Sequence, residues 1–101
     1  MTSRAARREL PELAEELLIE IKRLPNIGPL EGERLKLYNE LLVEIEILPL
    51  VKIGIAKVLS DLQYKIDFFG RYFWVYDEQQ EPLEEMLELI NEFLESPRLS
   101  L

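Results

Sequence analysis

The sequence predicts an all-α protein, a four-helix bundle with a long central third helix. Apolar residues recur three and four positions apart over most of the 101 residues, which is the period of a buried helical face. Seventeen Glu against three Asp, with many Leu and Ile, make a helix-favouring composition that is also typical of thermophilic or designed proteins. The prolines lie mostly where one apolar stripe ends and the next begins, as expected at helix ends.

The first helix is predicted from about Arg8 to Leu24. Pro11 is tolerated only in the first turn, so the helix should begin within a residue or two of it. Its apolar stripe is Leu10, Leu13, Ala14, Leu17, Leu18, Ile21 and Leu24. The segment 25–29, with two prolines and a glycine, is predicted to be a loop.

The second helix is predicted from about Glu31 to Leu48, with Gly32 in its first turn. Its main stripe is Leu35, Tyr38, Leu42 and Ile45. Residues 43–47 alternate as in a strand, but the helical stripe is longer and begins earlier, so a helix is favoured. Pro49 then predicts a tight apolar corner.

The third helix is predicted from about Leu50 to Asp77 and is apolar on two faces. The first face is Val51, Ile55, Val58, Leu59, Leu62, Ile66, Phe69, Phe73 and Tyr76. The second is Leu50, Ile53, Tyr64, Phe68, Tyr72 and Val75. Gly54 and Gly70 are expected inside this helix, each at a cost of about 0.5–1 kcal/mol relative to Ala. The alternative is an α+β fold with a β-hairpin around Gly70, because the flanking residues favour strands.

The fourth helix is predicted to open at residues 81–82, with Pro82 at its first position, after a loop over residues 77–80. Its stripe is Leu83, Met86, Leu87, Ile90, Phe93 and Leu94, and Ser96 and Pro97 end it. The predicted organisation is therefore a flexible basic arm at 1–7, one helical bundle domain at 8–96 and a tail at 97–101.

Composition narrows the functional classes. The chain lacks Cys and His, so it has no thiolate chemistry and lacks the commonest general base and metal ligand. A net charge of -8 disfavours direct binding of nucleic acid or of an anionic membrane. With no apolar leader and no stretch of about 20 apolar residues, a cytoplasmic location without cofactors is expected.

Carboxylates are the only plentiful groups that could serve catalysis. Residues 12–16 and 84–88 carry glutamates at helical spacing, and two such runs could hold Mg²⁺ or Mn²⁺. A carboxylate–metal hydrolase is therefore one alternative. However, the fourth stripe directs these glutamates outward, and metal sites in bundles need inward carboxylates. We predict no catalytic residue, no metal site and no enzymatic activity.

The favoured prediction is a protein-interaction or assembly module. One short chain cannot easily bury both faces of the third helix, and Tyr, Trp, Phe and Arg are enriched at interface centres. The predicted interface residues are Tyr64, Phe68, Arg71, Tyr72, Trp74 and Val75. The simplest partner is a second copy in a two-fold dimer.

Charge distribution adds a further prediction and an alternative. Residues 78–95 carry a charge of -7, whereas residues 50–76 carry +2. The last helix can therefore pair electrostatically with the third, within one chain or between two. The alternative is an acidic helix whose charges serve only to keep the chain in solution. The alternative function is a small acidic inhibitor or regulator that docks a basic, nucleic-acid-binding protein.

Overall fold

Four helices form a bundle in a computed structural model that describes residues 9–73 and 77–95. They are α1 (Leu10–Ile21), α2 (Glu33–Ile47), α3 (Ile55–Tyr72) and α4 (Gln80–Leu94). A short helical turn at Leu24–Ile27 and two 3₁₀ turns at Leu48–Leu50 and Asp77–Gln79 connect them. Because the described residues contain no strand, the predicted all-α four-helix bundle is confirmed, with α3 its longest helix.

Each helix packs against the next one in the chain, and α4 closes the ring by packing against α1. The helix α1 therefore lies diagonally across the bundle from α3. The core between them is built mostly from the predicted stripes, but Leu35 of the α2 stripe is 42% exposed, whereas Leu41 and Leu89, outside the main stripes, are buried. On α3 it takes Leu59, Leu62, Ile66 and Phe69, all fully buried, which confirms the position of the first apolar face.

The predicted start of α1 is confirmed, because Pro11 lies at its second residue. The backbone N–H of Glu9 donates to Oε1 of Glu12 at 3.4 Å, so a side chain satisfies an amide that precedes the helix. Its predicted end was wrong by three residues, since α1 ends at Ile21.

Residues 24–27 form a helical turn where part of a loop was predicted. Leu24 begins the turn with its side chain fully buried. Pro25 follows it in the first turn, where a missing N–H costs nothing. The turn closes when the N–H of Gly28 donates to the carbonyl oxygen of Leu24 at 3.2 Å.

The connection between α2 and α3 differs most from the prediction. Gly54 adopts a φ of 71° and immediately precedes α3, so it does not lie inside the helix, and α3 begins at Ile55 rather than Leu50. Left-handed backbone of this kind is readily adopted only by glycine. Gly32 likewise has a φ of 60° and precedes α2 instead of belonging to its first turn.

The helix α3 continues through Gly70 to Tyr72, so the hairpin alternative was wrong. The start of α4 packs closely against Gly70. A Cβ there would lie 3.5 Å from Oε1 of Gln80 and 3.7 Å from Cδ1 of Leu83. Nε2 of Gln80 also donates to the carbonyl oxygen of Gly70 at 2.9 Å.

The last helix starts slightly earlier than predicted. It begins at Gln80, directly after the 3₁₀ turn that contains Asp77, so Pro82 is its third residue and not its first. The first turn has no intrahelical acceptor for its N–H groups, which is why proline is accepted there. The predicted arm at 1–7 and tail at 97–101 lie outside the described residues.

Candidate protein-interaction surface

Three aromatic side chains follow one another at four-residue spacing along α3. Because residues four apart share a helix face, Tyr64, Phe68 and Tyr72 form one surface, which we call the aromatic face. Tyr64 is 71% exposed and Tyr72 is 66% exposed, whereas Phe68 is half-buried between them. The structure thus brings three of the six predicted interface residues together.

Of the other three, Arg71 lies beside the aromatic face. Its Nε donates to Oδ2 of Asp67 one turn earlier, at 2.7 Å, and this hydrogen bond raises the pKa of Arg71. Trp74 and Val75 lie outside the described residues.

The aromatic face is attached to the core through a series of ring contacts. The ring centroids of Phe68 and Tyr72 lie 4.8 Å apart, and those of Phe68 and Phe73 lie 5.4 Å apart, edge to face. Phe73 in turn meets the fully buried Phe69 edge to face at 6.1 Å. Such geometries are favourable for aromatic pairs, so the core restrains the ring of Phe68 and, through it, the ring of Tyr72.

Two grooves flank Phe68. The larger one, about 370 Å³, lies between α2 and α3, and the smaller one, about 220 Å³, runs along α3 beside Asp67 and Arg71. The apolar part of the larger groove is formed by Leu37, Tyr64, Phe68 and Phe73. Neither Leu37 nor Phe73 was predicted at this site, because Phe73 belongs to the first apolar face of the third helix, which was expected to be buried, and Leu37 lies outside the predicted stripe of α2.

The positive and negative charges that line these two grooves are equal in number. They are Glu33, Lys36, Glu40 and Lys65 in the larger groove and Asp67 and Arg71 in the smaller one. Three positive and three negative side chains therefore surround the aromatic face, on a chain whose net charge is -8. A strongly charged partner would gain little from this local charge.

Lys65 fixes α3 to α2 beside the larger groove. Its Nζ donates to Oε2 of Glu44 at 2.6 Å, and this hydrogen bond raises the pKa of Lys65. The sequence predicted that the charges of α3 would pair with α4, and for Lys65 that expectation was wrong. The acidic start of α4 contacts the end of α1 instead, since Glu81 lies 3.3 Å from Arg23.

A second exposed apolar surface lies at the corner between α2 and α3. Leu50 is 73% exposed and Ile53 is 91% exposed, and both precede α3 rather than extending its second face as predicted. Val43 and Ile47, one turn apart on α2, are also exposed. Their spacing, off the main stripe of α2, is the signal that the sequence analysis missed.

The described residues provide no metal centre. No three or more acidic side chains in 9–73 and 77–95 come together in a way that could hold a metal ion. Glu84 and Glu88 on α4, and Glu95 just after it, are exposed to solvent. The hydrolase alternative therefore finds no ligand set in this part of the chain.

No protein-family model, curated protein or solved structure matches the chain. None of the described helices is both long enough and apolar enough to cross a membrane.

Proposed function

We propose that this chain is a non-catalytic protein-interaction module that assembles into homodimers through the aromatic face of α3. The exposure of Tyr64 and Tyr72 on either side of Phe68 carries the proposal. Single exposed apolar residues are ordinary on protein surfaces, but a contiguous aromatic cluster marks an interaction site. Tyrosine and arginine are also the residue types enriched at the energetic centres of interfaces.

The rigidity of the cluster supports the same function. The edge-to-face contacts of Phe73 with Phe68 and Phe69 restrict the rotation of the Phe68 ring before any partner binds. Binding therefore costs less side-chain entropy than it would for freely rotating side chains. A stable interface buries about 800 Å² on each partner, which is more than three rings can supply, so the groove between α2 and α3 belongs to the same surface.

The test is the mass of the chain in solution, measured by analytical ultracentrifugation over roughly 1 to 100 µM, a range that brackets a micromolar dissociation constant. We expect the mass to rise towards that of a dimer. The variant Tyr72→Glu should stay monomeric, because dimer formation would bury its carboxylate without a partner.

The matched control is Ile19→Glu. Ile19 is 58% exposed and lies on α1, diagonally across the bundle from α3, so this variant should dimerise like the unmodified chain. Thermal unfolding of all three proteins checks that each is folded. The proposal is contradicted if the unmodified chain is monomeric over the whole concentration range. It is also contradicted if the Tyr72→Glu variant dimerises normally.

A second candidate function rests on exposed carboxylates on and just after α4, among them Glu84, Glu88 and Glu95. We propose as the alternative that this helix docks a basic, nucleic-acid-binding protein. Binding of a lysine-rich peptide should then weaken strongly with added salt and should fall in the variant Glu84→Gln/Glu88→Gln. Binding that is insensitive to both changes would exclude it.

The proposal includes a cytoplasmic location for the protein. The absence of cysteine, which suits a reducing compartment, supports a cytoplasmic protein. The net charge of -8 supports a protein partner over nucleic acid or an anionic membrane surface.

A further inference from the structure

We propose that the partner of the aromatic face is a second copy docked antiparallel, with the two-fold axis passing beside Phe68. This inference rests on the proposed function and specifies its geometry. Tyr64 lies four residues before Phe68 and Tyr72 four residues after it, about 6 Å away along the helix in either direction. A reversed copy of α3 therefore presents the same three rings in the same order, and Tyr64 of one copy meets Tyr72 of the other.

The ion pair beside the aromatic face suits this arrangement. Asp67 and Arg71 lie on one flank of α3, one residue before and three residues after Phe68, and are joined at 2.7 Å. A two-fold axis perpendicular to the helix places this flank against the same flank of the second copy. The residues of the second copy then run in the opposite direction. Arg71 of each copy then lies within about 3 Å, measured along the helix axis, of Asp67 of the other.

Both side chains have capacity for that contact. Arg71 is 67% exposed and Asp67 is 48% exposed. A guanidinium carries five N–H donors, and within the described part of the chain the one that pairs with Asp67 is Nε. The two intrahelical pairs would therefore join into one network of two arginines and two aspartates, so the charges on this flank are self-complementary.

The larger groove gives the second copy a place to insert a ring. In the antiparallel arrangement, Tyr72 of the second copy reaches the part of the groove that Tyr64, Lys65 and Phe68 line. The groove measures about 370 Å³, whereas an apolar cavity of about 150 Å³ is enough to bind benzene. A two-fold interface repeats each contact, so each copy both inserts a tyrosine and receives one.

Distances between spin labels test the arrangement without changing the aromatic face. The chain has no cysteine, so Ser60→Cys and, separately, Ala56→Cys each accept one label. Both positions are exposed on α3, eight and twelve residues before Phe68. In an antiparallel dimer centred on Phe68, a rise of 1.5 Å per residue separates the two labels by about 24 Å for position 60 and about 36 Å for position 56, measured along the axis.

The outcomes separate this geometry from the proposed function. A dimer with these two distances, both of which disappear when Tyr72→Glu is added, supports the antiparallel arrangement. A dimer with short and nearly equal distances at both positions would be parallel, which overturns the inference and leaves the proposed function intact. If the label distances persist in Tyr72→Glu, the dimer forms through another surface, which overturns the inference. If the mass is that of a monomer, both the proposed function and the inference are overturned.

Discussion

Nε of Arg34, at the start of α2, donates a hydrogen bond of 2.8 Å to the carbonyl oxygen of Phe73, just beyond the end of α3. The last carbonyl groups of a helix have no intrahelical donor, and a cationic donor suits the negative end of the helix dipole. Since the ring of Phe73 contacts both Phe68 and Phe69, this hydrogen bond fixes the end of α3 that carries the aromatic face.

Removing that donor should destabilise the fold. A hydrogen bond to a charged group contributes about 1.5–3 kcal/mol, and water can replace part of it at this half-buried position, so Arg34→Gln should lower the free energy of unfolding by about 1–2 kcal/mol. Urea denaturation measures the change. Lys36→Gln, an exposed position on the same helix, is the control and should change stability by less than about 0.5 kcal/mol. Equal effects in both variants would remove the special role of Arg34.

Gly54, which precedes α3, and Gly70, which lies inside it, should change the stability of the fold in opposite directions when replaced by alanine. At Gly70 a Cβ would meet its neighbours at ordinary contact distances of 3.5 and 3.7 Å, so Gly70→Ala should stabilise the fold by about 0.5–1 kcal/mol through helix propensity. Gly54 has a φ of 71°, where an L side chain is strained although there is open space, so Gly54→Ala should destabilise by about 1 kcal/mol. Thermal unfolding of both variants tests the pair, and a destabilised Gly70→Ala would show that α4 cannot accommodate the methyl group.

Replacing two different leucines by alanine should change the free energy of unfolding by very different amounts. Leu59 is fully buried in the core, whereas Leu50 is 73% exposed at the corner before α3. Leu59→Ala should therefore cost about 2–5 kcal/mol through lost burial and a cavity, and Leu50→Ala less than about 0.5 kcal/mol. Denaturant unfolding compares them directly. A large loss for Leu50→Ala would mean that this corner is covered in solution.

Stability should fall at alkaline pH for two reasons. Burial raises the pKa of Tyr38, and the hydrogen bond to Glu44 raises the pKa of Lys65. In both cases the folded state holds the proton more tightly than the unfolded state does. The stabilisation of the fold by these two groups is therefore fully present below the ordinary pKa values of about 10. It is lost as pH rises through the raised values.

Denaturant unfolding between about pH 8 and about pH 11 measures this loss around the ordinary tyrosine and lysine values. The variants Tyr38→Phe and Lys65→Gln should each flatten the profile, because each removes one of the two groups. A profile that keeps its full slope in Tyr38→Phe would assign the pH dependence to other groups.

Apolar spacing predicts the four helices and most of their buried residues, although Leu35, on the predicted stripe of α2, is 42% exposed. Leu59, Leu62 and Ile66 share the period of a core stripe, and all three are fully buried. The reason is that the spacing of the apolar residues follows the period of the helix, so it indicates which face is available for burial. The four-residue spacing of Tyr64, Phe68 and Tyr72 likewise predicts their common face.

Helix ends and charge partners follow from tertiary contacts and backbone angles that spacing does not encode. Whether glycine interrupts, precedes or continues a helix depends on φ at Gly54 and on the approach of α4 at Gly70. The partner of Lys65 depends on which helix lies beside α3, because glutamates are plentiful on both α2 and α4. Exposure is decided in the same way: Leu50 and Leu59 are the same residue type, and only the packing of α3 against its neighbours buries one and leaves the other in solvent.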